Sequence, residues 1–559
     1  MDRRLLLAIA LSALVVIAYQ QYLQIFYPQR PAPGVRSGER PTPQSVPGVE
    51  PAPTGEAPPA LPPPATPEGS LGDAREAAVA LGPDVHVETE VFEAAFSATG
   101  GRLVSLVLKD YRASIEPGSP GFQLVSPRLV EPPLGIVLRG QQAWTDVGVR
   151  YEPSESLRLA GEGSGTVTFR GKLPQGGNIE KRFTFRGNRF DFEASVRVEA
   201  AASAASELGL TWVRTPGAAS SSYSYEGIEA LVGKKLRQFD ADELGRGVIL
   251  PDPKATTPAP VRWAAYADTY FLSALVPLEE TARLWVKRYD EGPVTAEMLV
   301  PISAASEGAS YVVYAGPKDI EILDAAGHDL SRAVNLGWFG LVAEPMLRAL
   351  KLFHRITGNY GLDIIFLTML IKVLFIPLTH KSFQSMQQLQ KLQPEMKKLQ
   401  ERFAEDRERL NKEVMELYRR HKVNPLGGCL PMLFQLPIFV GLYNALLSAV
   451  ELRHAPFALW INDLSAPDRL PAVPNPPFGE IFGYEARIPV LTILMGASML
   501  VQQKMAPPAG DPAQQRIMML MPLIFTFMFL NFPSGLVLYW LVNNVLTIAQ
   551  QAWMLRGRR

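Results

Sequence analysis

Five apolar stretches crowd the C-terminal part of this 559-residue chain, at 362–378, 426–450, 488–505, 517–532 and 535–555. Their lengths approach or exceed the roughly 20 residues that a helix needs to cross bilayer hydrocarbon, so membrane spans are expected. Two fall short, which calls for local thinning of the bilayer or for Tyr and Trp anchors at their ends. A further apolar run, 5–18, follows the charged start Met1-Asp2-Arg3-Arg4. It could be the core of a cleavable signal peptide. No small-residue cleavage site follows, however, and the Tyr and Gln of 19–22 suit a helix leaving the bilayer through its interface. The reading is an uncleaved transmembrane anchor over 1–27, which makes six spans.

Loop charge sets the orientation. The loop 381–424 carries eleven Lys and Arg against seven acids, whereas 451–487 carries three against five. With six spans, the N-terminal Arg pair and the terminal Arg556, Arg558 and Arg559 fall on the side of the basic loop. Both ends are therefore expected in the cytoplasm, and the segment between the first two spans outside.

That outer segment divides in two. Residues 28–80 are rich in Pro, Gly, Ala, Ser and Glu, with Pro62-Pro63-Pro64 at the centre; such a stretch buries no core and reads as a disordered tether. Residues 81–330 have period two. Lys181-Arg182-Phe183-Thr184-Phe185-Arg186 turns at Gly187-Asn188 into Arg189-Phe190-Asp191-Phe192, with apolar residues alternating with charges on both sides, a hairpin signal. Further strands are expected at 102–109, 166–170 and 283–288. A single large β-sandwich suits this length. It shows no catalytic spacing. Residues 331–358 follow as an amphipathic helix with an aromatic start and a basic flank, fit to lie in a membrane interface; packing against the sandwich is the competing reading.

Whole-chain chemistry excludes several classes. Formal net charge is zero, so the chain bears no nucleic-acid signature. The one cysteine, Cys429, rules out an intrachain disulfide and a cysteine-rich metal site, and the six histidines lack ligand spacing. No metal or other cofactor is expected.

The functional signal is Lys372. It sits near the middle of the span 362–378, roughly 13 Å from either end at 1.5 Å per residue. Facing lipid there would cost at least about 2.5–3.5 kcal/mol, and the stem is too short to bring the ammonium easily to water. Thr368, one turn earlier, shares its face. A buried ion pair would hold the charge; so would a water-filled cavity. The other apolar cores contain no Asp or Glu, and Asp363 lies more than two turns away, which favours the cavity. Polar groups that could line it are Gln435, Asn444 and Ser448 on the third span, where Pro431 and Pro437 should bend the helix. On the last span Tyr539, Asn543, Thr547 and Gln550 form one stripe, flanked by Trp540 and Asn544. Singly, each Asn or Gln reads as an interhelical hydrogen bond, the commoner role. Beside an unpaired lysine, together, they suggest a hydrophilic groove.

The loop 381–424 reads as a helical hairpin. Met386, Leu389, Leu392, Met396, Leu399 and Phe403 recur at three- and four-residue steps, as do Leu410, Val414 and Leu417, so two antiparallel helices can zip together. Pro394 should kink the first. A solvated pair and a docking arm for ribosome, polypeptide or anionic lipid remain equally open.

Three stretches resemble the YidC/Oxa/Alb family of membrane protein insertases: Asn424-Pro425-Leu426-Gly427-Gly428-Cys429 with Gln435-Leu436-Pro437-Ile438-Phe439; Glu451-Leu452-Arg453-His454-Ala455-Pro456-Phe457-Ala458-Leu459-Trp460; and Phe532-Pro533-Ser534-Gly535-Leu536-Val537-Leu538-Tyr539. The likeness runs from about 327 to the C-terminus. Upstream, Trp263-Ala264-Ala265-Tyr266-Ala267-Asp268-Thr269-Tyr270-Phe271 resembles a family stretch, and the tethered sandwich resembles the family's Gram-negative form. The resemblance implies a polytopic α-helical protein of the inner membrane, with six transmembrane helices, five of them in an insertase core at 359–559. A large periplasmic β-sandwich and a cytoplasmic helical hairpin complete it.

The same resemblance implies a groove open to cytoplasm and lipid, closed toward the outside, and bearing one positive charge. That charge is usually an arginine; Lys372 takes its place and keeps the charge without the bidentate fork. Thr368, Gln435 and Phe439 match groove positions, and Trp540 stands where the best-known members have a second tyrosine. The expected groove set is Lys372, Thr368, Gln435, Phe439, Tyr539, Trp540 and Asn543, with Met386, Leu389, Met396, Leu399 and Leu417 on the hairpin. Expected partners are nascent membrane proteins, the Sec translocon, the ribosome and membrane lipids. A secondary transporter using the intramembrane lysine is the alternative, but ion-coupled carriers place acids or His in their spans and often show repeated halves. An intramembrane enzyme would need a nucleophile with a companion base, which Cys429 lacks.

Overall fold

The computed structural model describes residues 82–556 except 128, 130, 141–142, 174–175, 200–204, 215–225, 240, 252–258, 289–291, 303–307, 404–405, 422, 424–429, 471–487 and 506–511. The expected anchor at 1–27 and tether at 28–80 lie outside the described residues.

Alternation builds the N-terminal part. Strand Asn178–Arg186 pairs antiparallel with Asp191–Val198, Phe183 opposite Ala194, across the Gly187-Asn188 turn. The segments expected at 102–109, 166–170 and 283–288 lie in strands Arg102–Arg112, Ser164–Lys172 and Arg283–Arg288. The described strands form sheets of nine, six and five. Register places them. Phe183, Ala194 and Tyr311 lie in one cross-strand row of the nine-stranded sheet, so their side chains share a face. On that face Tyr311 Oη donates to the Leu208 and Met298 carbonyls of the six-stranded sheet, 3.1 Å each. Phe183 there packs against Phe96 of the five-stranded sheet, ring centres 5.1 Å apart. The sandwich thus has one continuous layer and one divided layer, over a single apolar core.

Charges also enter the core. Lys181, on the face of Phe183 and Phe185, points inward with 0% exposure and meets Asp146 at 2.6 Å. Two short helices accompany the strands, α1 (Ala241–Arg246) among them and α2 (Ile320–Ala326) after the last, the latter capped by Asp319.

Then the chain turns helical. Helix α3 (Gly340–Thr357) ends at Gly358, whose φ of 63° stops it. It buries Ala343, Leu347 and Leu350. Leu341, Leu352 and Ile356 form a second apolar stripe on the opposite side and stay bare, as does Trp338 just before the helix. The helix thus has two apolar faces, one packed and one open. Helix α4 (Tyr360–Arg402) joins the expected second span and the first hairpin arm into one rod of 43 residues, with Pro377 and Pro394 inside it. Helix α5 (Arg407–Arg420) is the returning arm. Leu392, Leu417 and Val423 bury themselves between the arms, with Leu389, Met396 and Leu399 around them; Met386 lies outside that cluster.

Helices α6 (Leu430–Ser448), α7 (Val490–Met505), α8 (Pro512–Met528) and α9 (Ser534–Arg556) complete the described chain. Among the described residues one helix, α4, is by itself long and apolar enough to cross a membrane, and Phe434–Ser448 and Met519–Asn531 are shorter apolar helices. The surface around them is greasy: Val373, Leu374, Leu436, Ile493, Leu523 and Phe527 are each about half exposed or more. Soluble proteins seldom leave so continuous an apolar belt in water.

Candidate functional site

Helices α4 and α9 run side by side in the same direction. Gly535 lies against Ile364 at one end, and Gln550 Nε2 donates to Thr379 Oγ1 at 2.8 Å toward the other. Between them Lys372 Nζ donates to Thr547 Oγ1 at 2.7 Å. That hydroxyl in turn donates a hydrogen bond to the Asn543 carbonyl, 2.6 Å away. Lys372 has no ion-pair partner among the described residues. Asp363, the one acid of its span, is fully buried at the β-domain end, where His354 Nδ1 meets it at 2.9 Å and Thr357 Oγ1 donates to it at 2.5 Å. That carboxylate is satisfied where it sits, so the ammonium rests on a neutral hydroxyl.

The other expected residues lie in several places. Thr368 is buried and returns its hydroxyl to the Ile364 carbonyl of its own helix at 2.6 Å. Gln435 lies within hydrogen-bond reach of the buried Tyr539 hydroxyl. Phe439 meets Trp540 edge-on, ring centres 4.8 Å apart, and Phe525 and Phe529 complete an aromatic block around that indole. Asn543 is buried beside the lysine through its carbonyl. Asn544 ties α9 to α7 by donating to Ser498 Oγ at 3.0 Å, the ordinary interhelical role. Thr547 and Gln550 were visible in the sequence as part of a stripe; their partners were not. Thr379 carried no signal at all, since an interior threonine usually bonds its own helix.

The end of the bundle nearest the β-domain is closed by the loop after α6. The Phe457 ring stands where a side chain on Gly361 would meet it at 2.0 Å, and Asn359 Nδ2 donates to the Phe457 carbonyl. Ala466 and Leu464 carbonyls accept from Ser534 N and Gly535 N, at 2.8 and 2.9 Å. Asp468 accepts from Leu491 N, Thr492 N and Trp460 Nε1. One loop thus satisfies first-turn N–H groups of α7 and α9 that would otherwise be orphans, and packs on the start of α4, which Asn359 caps itself. Asp468→Ala should leave those donors unpaired at a cost of about 2 kcal/mol, lowering the thermal midpoint of the purified protein. Asp468→Asn should lose less.

The same loop grips the β-domain. Arg453 donates to the Arg112 and Ala113 carbonyls at 2.6 and 3.3 Å and covers the Phe122 ring. Lys351 of α3 bridges Asp319 and Glu451, at 2.7 and 2.8 Å. Burial pushes the Glu451 carboxyl above its usual range despite Lys351. At Asp319 burial also pushes upward, but the Lys351 contact outweighs it and holds the group low.

What these parts define is a helical protein with a membrane-length apolar helix, an attached β-domain and a lysine on that helix with no carboxylate partner among the described residues, which also hold no cluster of metal-ligating side chains. Comparison with known proteins agrees. The family model described as 60Kd inner membrane protein matches residues 352–559, and that described as YidC periplasmic domain matches 84–349. The membrane protein insertase YidC of Maridesulfovibrio salexigens is 39% identical over all of this chain and 99% of its own length. That of Geobacter sulfurreducens is 40% identical over 84% of this chain and 86% of its own length, and that of Syntrophobacter fumaroxidans 37% over the whole of both. The chain belongs to the YidC family of inner-membrane insertases, whose named activity is not an enzymatic one.

Proposed function

We propose that this protein moves hydrophobic segments of nascent membrane proteins into the inner membrane through the polar seam between α4 and α9, with Lys372 as its charge. The observation that carries this reading is an ammonium at mid-span with a neutral hydroxyl, not a carboxylate, as its partner. An incoming acidic flank can take that proton donor from Thr547. Burial of apolar surface drives the segment into lipid, while its polar flank must cross hydrocarbon; a wet seam reaching halfway shortens that path. The aromatic block at Phe439 and Trp540 offers a smooth apolar wall. The membrane potential adds a pull on acidic flanks.

Topology follows the same logic. Parallel α4 and α9 require an odd number of crossings between them, and α6, α7 and α8 supply three. With the anchor at 1–27 that makes six spans, the basic hairpin and both termini in the cytoplasm, and the β-domain in the periplasm behind the closed loop. The cap then seals the groove outward while its hairpin end faces the emerging chain. The hairpin, rich in Lys and Arg, is a place for ribosome, nascent chain or anionic lipid, and the work is done alone or beside the Sec translocon. Against a transporter stands the lack of a membrane-depth acid among the described residues near Lys372.

Crosslinking tests it. A stalled nascent membrane protein should give adducts with photoreactive residues at 368, 435 and 543, concentrated where its hydrophobic segment passes, and none with probes on the cap at 466. A carrier would give no segment-specific adducts.

A further inference from the structure

Where α3 begins, the molecule holds a cleft of about 480 Å³, walled by Lys234, Leu236 and Gln238 of the β-domain on one side and by Arg332, Leu336 and Glu344 on the other. Its charges do not cancel. Glu344 is taken by Arg348 at 2.5 Å. The Arg332 guanidinium donates to the Lys234 carbonyl at 2.9 Å and stands 3.9 Å from Asp329, a carboxylate that Arg262 already holds at 3.1 Å. Lys234 has no ion-pair partner among the described residues, and the neighbouring Lys235 is exposed. The cleft is therefore cationic, with Lys234 left to receive an anion.

Its rim is apolar in the opposite sense. Trp338 and Leu341 project at 100% and 90% exposure, next to Gly337 and Gly340 on the cleft's wall. Cations above and a bare indole and leucine beside them match the two ends of one molecule, a lipid. A zwitterionic choline headgroup would bring its own positive charge toward Lys234. A phosphatidylglycerol headgroup would not. We infer that this cleft binds the headgroup of an anionic phospholipid from the outer leaflet, its phosphate between Lys234 and Arg332 and its acyl chain along Trp338 and Leu341. This rests on the periplasmic placement of the β-domain proposed above, with α3 lying in the membrane interface.

The test uses the full chain in detergent, titrated with dioleoyl phosphatidylglycerol, dioleoyl phosphatidylcholine or inorganic phosphate, and read by native mass spectrometry. The wild type should retain one phosphatidylglycerol at least tenfold more tightly than phosphatidylcholine. K234E should weaken that lipid at least fivefold while circular dichroism stays unchanged, and inorganic phosphate should fail to displace it. Equal retention by K234E, no preference over phosphatidylcholine, or displacement by inorganic phosphate would each overturn the assignment. A spin label at W338C, in a C429S background, reads the placement separately. A lipid-exposed label with unchanged K234E retention sinks the headgroup site alone, whereas a water-exposed label sinks the interfacial helix with it.

Discussion

Lys372→Glu should reduce insertion of a substrate with an acidic flank at least tenfold, while Lys372→Arg stays within about threefold of the wild type; a tenfold change corresponds to about 1.4 kcal/mol. The estimate is conservative. Two unit charges 4 Å apart attract by about 4 kcal/mol at an effective dielectric of 20, and the Glu variant turns that attraction into repulsion. Much of the gain is offset because the wild-type ammonium must leave Thr547, a bond of 2.7 Å. Arginine keeps the charge and can bind the carboxylate with two N–H groups, so its penalty is one of fit. The measurement is protease protection of the translocated flank in proteoliposomes, with a matched substrate whose flank is neutral. The neutral flank should change less than threefold in Lys372→Glu. If both substrates fall together, the lysine supports the helix pair and attracts nothing; if neither falls, the seam does not conduct the flank.

Much of this was legible from residue order because two periods are robust. Strand alternation located Asn178–Arg186 and Asp191–Val198, and three- and four-residue steps located the hairpin arms. Depth along a span singled out Lys372 without any partner being known. What stayed hidden has a common cause: it depends on contacts far apart in sequence. The cap consists mainly of backbone carbonyls at 464 and 466 and one carboxylate at 468, and backbone groups carry no sequence signature. Lys372 meets Thr547 only because α4 and α9 run parallel. Trp540 was expected in the groove from the family resemblance, but the aromatic block that surrounds its indole, Phe439, Phe525 and Phe529, comes from distant segments and was not visible. The single sandwich was expected whole, yet nothing in the alternation says where one layer divides.

Lys181 gives the sharpest stability test. In its strand the residues at 179, 183 and 185 point inward, and so does 181, so a charge occupies a core position. Period two places it there, on the same face as Phe183 and Phe185. The core accommodates it by satisfying it. Besides Asp146, Lys181 Nζ donates to the carbonyls of Gly100 and Leu134 at 2.6 and 2.9 Å. Gly100 and Gly101 hold φ of 73° and 53°, a left-handed turn that only glycine adopts without strain. Asp146 in turn accepts from Tyr151 Oη, Ile136 N and Arg102. Lys181→Met keeps the stem and removes the charge, so Asp146 stays buried with one partner fewer and two carbonyls lose their donor. Breaking a buried pair from one side costs about 3–5 kcal/mol, and the β-domain should unfold at correspondingly lower urea, followed by its protease resistance in the full-length protein. Replacing both partners is gentler, because no uncompensated charge remains. Lys181→Met combined with Asp146→Asn should therefore recover part of the loss, although Arg102 then lacks a counter-ion at 146. A Lys181→Met variant within about 1 kcal/mol of wild type, or a double variant worse than the sum of the singles, would mean the cluster is held by its hydrogen bonds to the backbone and not by opposite charge.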